Sequence, residues 1–153
     1  MTKVFHMSEE DKTELPIVND IYSIFRDTTR RKILSMLNTM KMTADELTQE
    51  LSISRPAVEK HLKQMLEIGL IERKAETFPT LKYLYSIPEP GQELISNLYD
   101  SVETFVSSLR DEYTRRLENE EQMFLLGMSS KERYDAIKDS YKTILAKLEN
   151  NEK

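Results

Sequence analysis

The sequence predicts a mainly α-helical protein with one small antiparallel β-hairpin. Three observations lead to this class. Apolar residues recur at intervals of three and four along most of the chain, and only 3 of the 153 residues are glycine. Two short segments rich in β-branched and aromatic residues lie near the middle of the chain. The first two observations predict helices, and the third predicts two paired strands.

The first elements are an arm and two helices. Residues 1–15 have no sustained apolar period, and we expect a flexible N-terminal arm there. A helix begins at Pro16, because proline is favoured in the first turn of a helix. Asp27 and Thr28 interrupt its apolar pattern, and a second helix follows. The predicted buried residues of these two helices are Ile17, Ile21, Ile24, Phe25, Ile33, Leu34 and Leu37.

Two short helices with their own caps come next. Thr43 and Glu46 form the pattern of a capping box, in which each side chain binds the backbone amide of the other residue. Ser54 is a good N-cap for the following helix, and Pro56 falls in its first turn. Gly69 ends this helix, at a position typical of a left-handed residue. Two capped helices this close together predict a helix-turn-helix, with its second helix at about residues 54–68.

A hairpin is predicted directly after this motif. Residues 70–73 and 81–87 have strand composition, and the segment between them, residues 74–80, contains charges and Pro79. A hairpin in this place is a wing, at about residues 71–87. We therefore predict a winged helix-turn-helix domain over residues 16–88.

Residues 89–153 are predicted to form a helical extension. We expect helices over residues 92–126 and 129–150, separated by Gly127, with a second capping box at residues 129–132. Their apolar residues recur every three or four positions, a heptad-like seam typical of a coiled coil. The members of this seam are Leu94, Leu98, Val102, Phe105, Leu109, Tyr113, Leu117, Tyr134, Ile137, Tyr141, Ile144 and Leu148.

Such a seam needs a partner, because a long exposed apolar stripe is poorly soluble. It can pack on the winged helix-turn-helix domain of the same chain, on the final helix, or on a second subunit. We predict dimerisation through this seam. A docking surface for another protein is the competing interpretation.

Charge is distributed unevenly along the chain. The net charge is −5, but residues 26–86 carry 11 Lys or Arg against 8 Asp or Glu, so this segment alone is positive. The segments before and after it carry −3 and −5. Local patches decide which partners a protein attracts. The negative total therefore does not exclude an anionic partner for the middle of the chain.

Several classes of protein are excluded or disfavoured. With 0 cysteines the chain cannot form disulfides, thiolate nucleophiles or sulfur-ligated zinc sites. It also lacks a glycine-rich phosphate loop, an HExxH motif and clustered histidines, so we expect neither an enzyme nor a cofactor. No apolar run approaches the roughly 20 residues that span a bilayer. We expect a cytoplasmic protein that does not bind membranes.

Three segments together resemble ArsR-type winged-helix transcriptional regulators. They are DTTRRKIL at residues 27–34, TADEL at residues 43–47, and ISRPAVEKHLKQ at residues 53–64, continued by EIGLIER at residues 67–73. The resemblance covers about residues 20–87, and the last third of the chain lies outside it. It implies a homodimer, usually a repressor, that reads a roughly palindromic operator in double-stranded DNA.

The sequence departs from this family in two respects. Many members sense metals through cysteine and histidine ligands, but here only His6 and His61 are available. We therefore expect a member that senses no metal and read His61 as packed or phosphate-facing. The wing lacks a glycine turn and contains Phe78 and Pro79, so its conformation is open.

The recognition helix supplies most of the predicted DNA contacts. With Val58, Leu62 and Met65 inward, its outer face carries five other residues. An arginine near the N-terminus of this helix suits guanine, and Glu59 either accepts from cytosine or orients that arginine. The lysines and Ser54 are expected at phosphates. The predicted contacts on this helix are Ser54, Arg55, Pro56, Glu59, Lys60 and Lys63.

Further contacts are predicted outside the recognition helix. Arg30, Arg31 and Lys32 form the densest basic cluster, which suits either phosphates or a solvated, salt-bridged face. Thr43 at a helix N-terminus can offer backbone amides to a phosphate. In the wing, the candidates for backbone or minor-groove contact are Arg73, Lys74 and Lys82, whereas Tyr83 and Tyr85 are expected on the core.

The sequence thus supports two functional hypotheses. The first is a sequence-specific, homodimeric DNA-binding regulator. The second is a protein-interaction module that uses the helical tail and keeps the winged helix as a scaffold with little DNA affinity. The operator, the sign of regulation and any effector stay open at this stage.

Overall fold

The computed structural model describes Ser8 and residues 15–149. His6 and most of the predicted N-terminal arm lie outside these residues. The chain divides into two compact units, the first ending at Ile95 and the second beginning at Ser96. The elements in chain order are α1 (Pro16–Arg26), α2 (Thr28–Thr39), α3 (Ala44–Leu51), α4 (Arg55–Glu67), β1 (Glu72–Glu76), β2 (Lys82–Ser86), α5 (Glu89–Leu125) and α6 (Lys131–Glu149).

Side-chain caps set the starts of α2, α3 and α4. Asp27 Oδ1 accepts the Arg30 amide at 2.9 Å, and Ser54 Oγ accepts the Ala57 amide at 3.3 Å. At α3 both halves of the capping box are present, with the Thr43 amide donating to Glu46 at 2.7 Å. The caps predicted at Thr43 and Ser54 are therefore confirmed, and Asp27 begins a helix as well as ending one.

The Asp27 cap should make stability sensitive to acid. The hydrogen bond from the Arg30 amide lowers the pKa of Asp27 below its usual value of 3.8. A carboxyl group whose pKa is depressed by folding stabilises the protein above its unfolded pKa, and this stabilisation is lost as pH falls through the folded pKa. In urea unfolding between about pH 5 and about pH 3, Asp27→Asn should lose less stability than the wild type, because asparagine caps without titrating. Equal losses would contradict this role.

The core of the first unit lies between its helices and the hairpin. Its fully enclosed side chains include Ile33 on α2, Leu47 on α3 and Val58, Leu62 and Met65 on α4, each at most 1% exposed. Tyr85 and Ile87 add the strand side of this core. Helices α3 and α4 are thus held by an apolar interior, which leaves their polar faces outward.

The β-hairpin is antiparallel and is fixed to the helices. Its register pairs Glu72 with Ser86 and Glu76 with Lys82. Tyr85 also forms an isolated bridge with Met42, with an N–O distance of 2.8 Å from the Tyr85 amide to the Met42 carbonyl. This bridge anchors β2 beside the start of α3.

The predicted limits of the hairpin were partly wrong. Leu70 and Ile71 are not in a strand: they are buried, and their amides donate to the Met65 carbonyl at the end of α4. The first strand instead continues through Glu76, which shortens the turn to residues 77–81. All residues of β1 are exposed, and none of them has to be apolar. The sequence of β1 therefore lacks the alternation of apolar and polar residues that indicates a strand.

Helix α5 begins earlier than predicted. Residues 89–91 belong to its first turn, where proline is tolerated, and the Gln92 amide donates to the Pro88 carbonyl at 3.0 Å. A Cβ atom on Gly91 would lie 2.6 Å from the Leu70 carbonyl oxygen. Only glycine therefore fits where this turn approaches the backbone after α4.

In the second unit, α6 runs antiparallel to the distal part of α5. The Tyr113 and Tyr141 rings meet edge to face at 5.2 Å, and the Phe124 and Tyr134 rings stack at 4.7 Å. Arg110 donates to the Leu148 carbonyl at 3.3 Å. Tyr134 and Tyr141 of the α6 seam thus have partners within their own chain.

The joint between α5 and α6 agrees only in part with the prediction. Gly127, with φ of +72°, follows α5 as expected. The predicted capping box at residues 129–132 was wrong, because Ser130 is the cap and accepts the Arg133 amide at 3.2 Å. An arginine three residues after the cap cannot return the hydrogen bond that glutamate gives at Thr43.

No helix among residues 15–149 has the length and apolar character to cross a membrane.

Candidate nucleic-acid interface

Helix α4 presents one buried stripe and one exposed face. Val58, Leu62 and Met65 are at most 1% exposed and fix the helix on the core. The opposite face consists of the residues that the helical period predicted, all of them exposed. These residues are Arg55, Pro56, Glu59, Lys60 and Lys63.

Arg55 occupies the N-terminal end of this face and is held by two carboxylates. Its Nε donates to Glu59 Oε1 at 3.0 Å, one turn along α4, and its Nη1 contacts Asp45 Oδ1 on α3. The hydrogen bond to Glu59, and then the charge of Asp45, raise the pKa of Arg55. Because all three side chains are about half exposed or more, these ion pairs set orientation more than stability.

Asp45 is the site residue that the sequence analysis missed. It lies 10 residues before Arg55, and the two side chains meet only because the turn between α3 and α4 brings the starts of both helices together. Asp45 lies in the first turn of α3, two residues after the capping residue Thr43, where an acidic side chain is favourable for the helix dipole alone. No spacing rule within one helix could have paired it with Arg55.

An open cleft of about 690 Å³ lies between the starts of α3 and α4 and the hairpin. Arg55 and Asp45 line one side, and Arg73 and Lys82 line the other. Thr43 also borders it, with its hydroxyl engaged in the α3 cap. The cleft brings the recognition helix and wing residues to one surface.

The cations of the hairpin differ in their surroundings. The Arg73 guanidinium lies 4.8 Å from the centre of the Tyr83 ring, and Lys82 Nζ lies 3.4 Å from Glu76. Lys74 is exposed and pairs across the hairpin with Leu84. Tyr83, which we expected on the core, is 44% exposed and supports Arg73 instead, whereas Tyr85 is buried.

The lysines of α4 are available to solvent. Lys60 and Lys63 are exposed, and Lys63 Nζ lies 3.9 Å from Glu67, at the limit of an ion pair. A contact this long and this exposed is readily exchanged for a phosphate. These two lysines fit the phosphate role that the sequence predicts, and Ser54, expected in the same role, is the α4 cap.

The arginines of the basic cluster on α2 form hydrogen bonds mainly with α1 and α4. Arg31 donates to the Arg26 carbonyl at 2.9 Å, and Arg30 donates to the Ser23 carbonyl at 2.9 Å. Arg30 Nε also donates to His61 Nδ1 at 3.3 Å, so His61 is packed, as one of the two expectations had it. Among residues 30–32, only Lys32 is exposed. The sequence analysis offered two interpretations of the arginines, phosphate contact and a solvated, salt-bridged face. Neither included these hydrogen bonds to backbone carbonyls.

The predicted dimerisation residues fall into three groups. On α5, Leu94, Val102 and Phe105 are 36%, 51% and 62% exposed. Tyr113 and Tyr141 pack on each other within the second unit, and Tyr134, which stacks on Phe124, is buried. The remaining members are partly buried, namely Leu98, Leu109, Leu117, Ile137, Ile144 and Leu148.

Comparison with known proteins identifies the helix-turn-helix. The family model described as "Bacterial regulatory protein, arsR family" matches residues 27–73. The transcriptional repressor SdpR of Bacillus subtilis (strain 168) is 33% identical over 54 residues, which are 35% of this chain. The chain spans 60% of the length of that relative.

Solved structures share the winged-helix fold. The homodimeric winged helix-turn-helix DNA-binding domain of a regulator from Mycobacterium bovis superposes with a TM-score of 0.55 at 15% identity, over 68% of this chain and 94% of that one. NolR from Sinorhizobium fredii gives a TM-score of 0.50 at 20% identity, over 62% and 93%. At these identities the likeness concerns the fold. Residues 27–73 of this chain are thus similar to the helix-turn-helix of the arsR family of bacterial regulatory proteins, and they lie in a winged helix that is followed by a C-terminal helical extension.

Proposed function

We propose that this protein is a homodimeric transcriptional repressor that binds double-stranded DNA at a roughly palindromic operator. The observation that carries the proposal is the exposed face of α4, with Arg55 oriented at its N-terminal end by Asp45 and Glu59. In a helix-turn-helix this end of the second helix enters the major groove. The family of the domain and the repressor among its relatives support the same function.

The roles of the α4 residues follow from their positions. Arg55 reads guanine through its forked guanidinium, and Glu59 keeps the fork in place. Lys60 and Lys63, further along the face, bind phosphates and position the helix without reading sequence. Arg73 and Lys82 extend the phosphate contacts across the cleft to the wing.

In the proposed dimer, a second subunit covers the exposed part of α5. Because α6 already packs against the distal part of α5, the residues left for a second subunit are those around Leu94, Val102 and Phe105. Two recognition helices in a symmetric dimer meet successive major grooves about one DNA turn apart, which a palindromic site provides.

The competing function gives the same exposed residues of α5 to another protein. Their exposure favours neither partner by itself, so the two functions differ in what they predict for DNA. An interaction module should bind DNA negligibly at every sequence, whereas a repressor should show salt-sensitive, sequence-preferring binding.

Replacing Arg55 and Lys63 separately tests the proposed division of roles. Arg55→Ala should reduce discrimination at one base position by roughly 5- to 150-fold. Lys63→Ala should weaken binding to all sequences alike and lower the slope of log affinity against log salt by about 1. Fluorescence anisotropy on a set of single-base operator variants measures both effects.

The control is Lys142→Ala, which removes one exposed positive charge from α6. It should leave affinity and the salt slope unchanged. If Arg55→Ala and Lys63→Ala both lower affinity uniformly across the operator variants, Arg55 does not read a base.

A further inference from the structure

The turn of the hairpin carries an exposed aromatic ring. Phe78 is 88% exposed, the highest value for a large hydrophobic side chain in the part of the chain that the structure describes, and Leu81 in the same turn is 63% exposed. Turns are normally built from glycine, asparagine, aspartate and serine, so the hairpin itself does not require a phenylalanine here. Its exposure at the tip leaves the ring available for a contact outside the chain.

The tip lies on the same surface as the recognition helix. Thr80 and Leu81 line the cleft that Arg55 also lines. Five paired positions separate the tip from the start of β1. At about 3.3 Å per residue they extend about 15 Å, close to the half turn of about 17 Å that separates adjacent grooves of B-DNA. With α4 in the major groove, a hairpin of this length is long enough to reach the neighbouring minor groove.

The charges along the hairpin suit a polyanion. Arg73 and Lys74 lie on β1, and Lys82 follows the turn directly. The nearest carboxylate, Glu76, is paired with Lys82 at 3.4 Å, which reduces its repulsion of phosphates. Cations along a hairpin that ends in an exposed apolar residue are the combination by which proteins bind the backbones of a minor groove and place an apolar wedge between base pairs.

We propose that Phe78, followed by Pro79, inserts between two base pairs in the minor groove beside each half-site and kinks the DNA. This inference rests on the proposed function and adds a second source of specificity to it. Pyrimidine–purine steps such as TA unstack most easily. The protein should therefore prefer such a step under the wing, a preference read through deformability and not through hydrogen bonds to bases.

The test uses the full-length protein and a DNA duplex that the wild type binds. The duplex carries 2-aminopurine at the step under the wing and a donor and acceptor dye at its ends. Phe78→Ala removes the wedge, and Phe78→Leu keeps an apolar one. Tyr22→Ala, which removes another exposed aromatic ring, from α1, is the matched control.

Wild type and Phe78→Leu should raise 2-aminopurine fluorescence and shorten the distance between the dyes. Phe78→Ala should do neither and should bind about tenfold more weakly, while Tyr22→Ala should match the wild type. Replacing the TA step by AA should weaken the wild type but not Phe78→Ala.

Two outcomes would overturn the inference in different ways. If the wild type binds its site and Phe78→Ala binds it with the same affinity, fluorescence and bend, the wedge is absent and the proposed function stands. The same holds if Phe78→Ala changes only the oligomeric state in sedimentation. If the wild type shows no sequence preference at all, the proposed function fails and the wedge fails with it.

Discussion

Replacing Phe105 with glutamate should convert the protein from a dimer to a monomer and should nearly abolish operator binding. Phe105 is 62% exposed on α5, and Val102, one turn earlier, is 51% exposed. In the proposed dimer this stripe is covered by a second subunit. A glutamate there would bury an unpaired charge twice, once in each copy of a symmetric interface.

The effect on DNA binding should be large because the proposed dimer links its two recognition helices through this interface. Losing the link removes the effective concentration that one bound half gives the other, a factor on the order of 10² to 10⁴. Sedimentation equilibrium measures the state of assembly, and anisotropy on the full operator measures affinity. A single half-site should bind wild type and variant about equally.

Ser107→Glu is the matched control for this substitution. It adds the same charge to α5 two residues further on, where the helical period places it away from the stripe. It should remain a dimer with unchanged affinity. A dimeric Phe105→Glu variant would show that the exposed part of α5 is not the interface and would favour a different partner for it.

Replacing Leu62 with alanine should cause the largest loss of stability among single changes in the recognition helix. Leu62 is 1% exposed and lies in the core beneath the exposed face of α4. Truncating a buried leucine costs about 2–5 kcal/mol, through lost burial and the cavity that remains. The thermal midpoint, followed by circular dichroism, should fall by about 10 °C or more.

Leu81→Ala is the matched control for Leu62→Ala, because it deletes the same atoms from a leucine that is 63% exposed in the wing turn. Its midpoint should stay within about 2 °C of the wild type, since surface substitutions usually change stability by less than 0.5 kcal/mol. At a temperature where Leu62→Ala is still folded, this variant should keep the base preference that we propose for Arg55. Similar midpoints for the two variants would mean that α4 is not packed on this core.

The elements that the sequence predicts correctly are those with strong local signals. Two helix starts are marked by the capping pair Thr43 and Glu46 and by the cap Ser54. Their hydrogen bonds join residues only three positions apart, so both partners can be recognised in a short stretch of sequence. The inward face of α4 follows from the helical period alone. Gly69, with φ of +73°, ends that segment for the reason glycine usually does.

The features that the sequence analysis misplaced or missed depend on contacts between different elements of secondary structure. The extent of β1 is set by pairing with β2, and its fully exposed residues give no apolar alternation. Arg30 and Arg31 form a basic cluster in the sequence, but the carbonyl groups at the end of α1 take their hydrogen bonds. Asp45 reaches Arg55 only through the turn between α3 and α4. Folding, not composition, decides these contacts.

The central claim is that a symmetric dimer reads DNA through α4. Selection of bound sequences from a random duplex library by the full-length protein tests it most directly. We expect an enriched inverted repeat whose half-sites are centred about one helical turn, 10–10.5 base pairs, apart, with one position losing its preference when Arg55→Ala is used. A library that stays unenriched after repeated rounds, or that yields an isolated half-site without a second copy, would contradict the account.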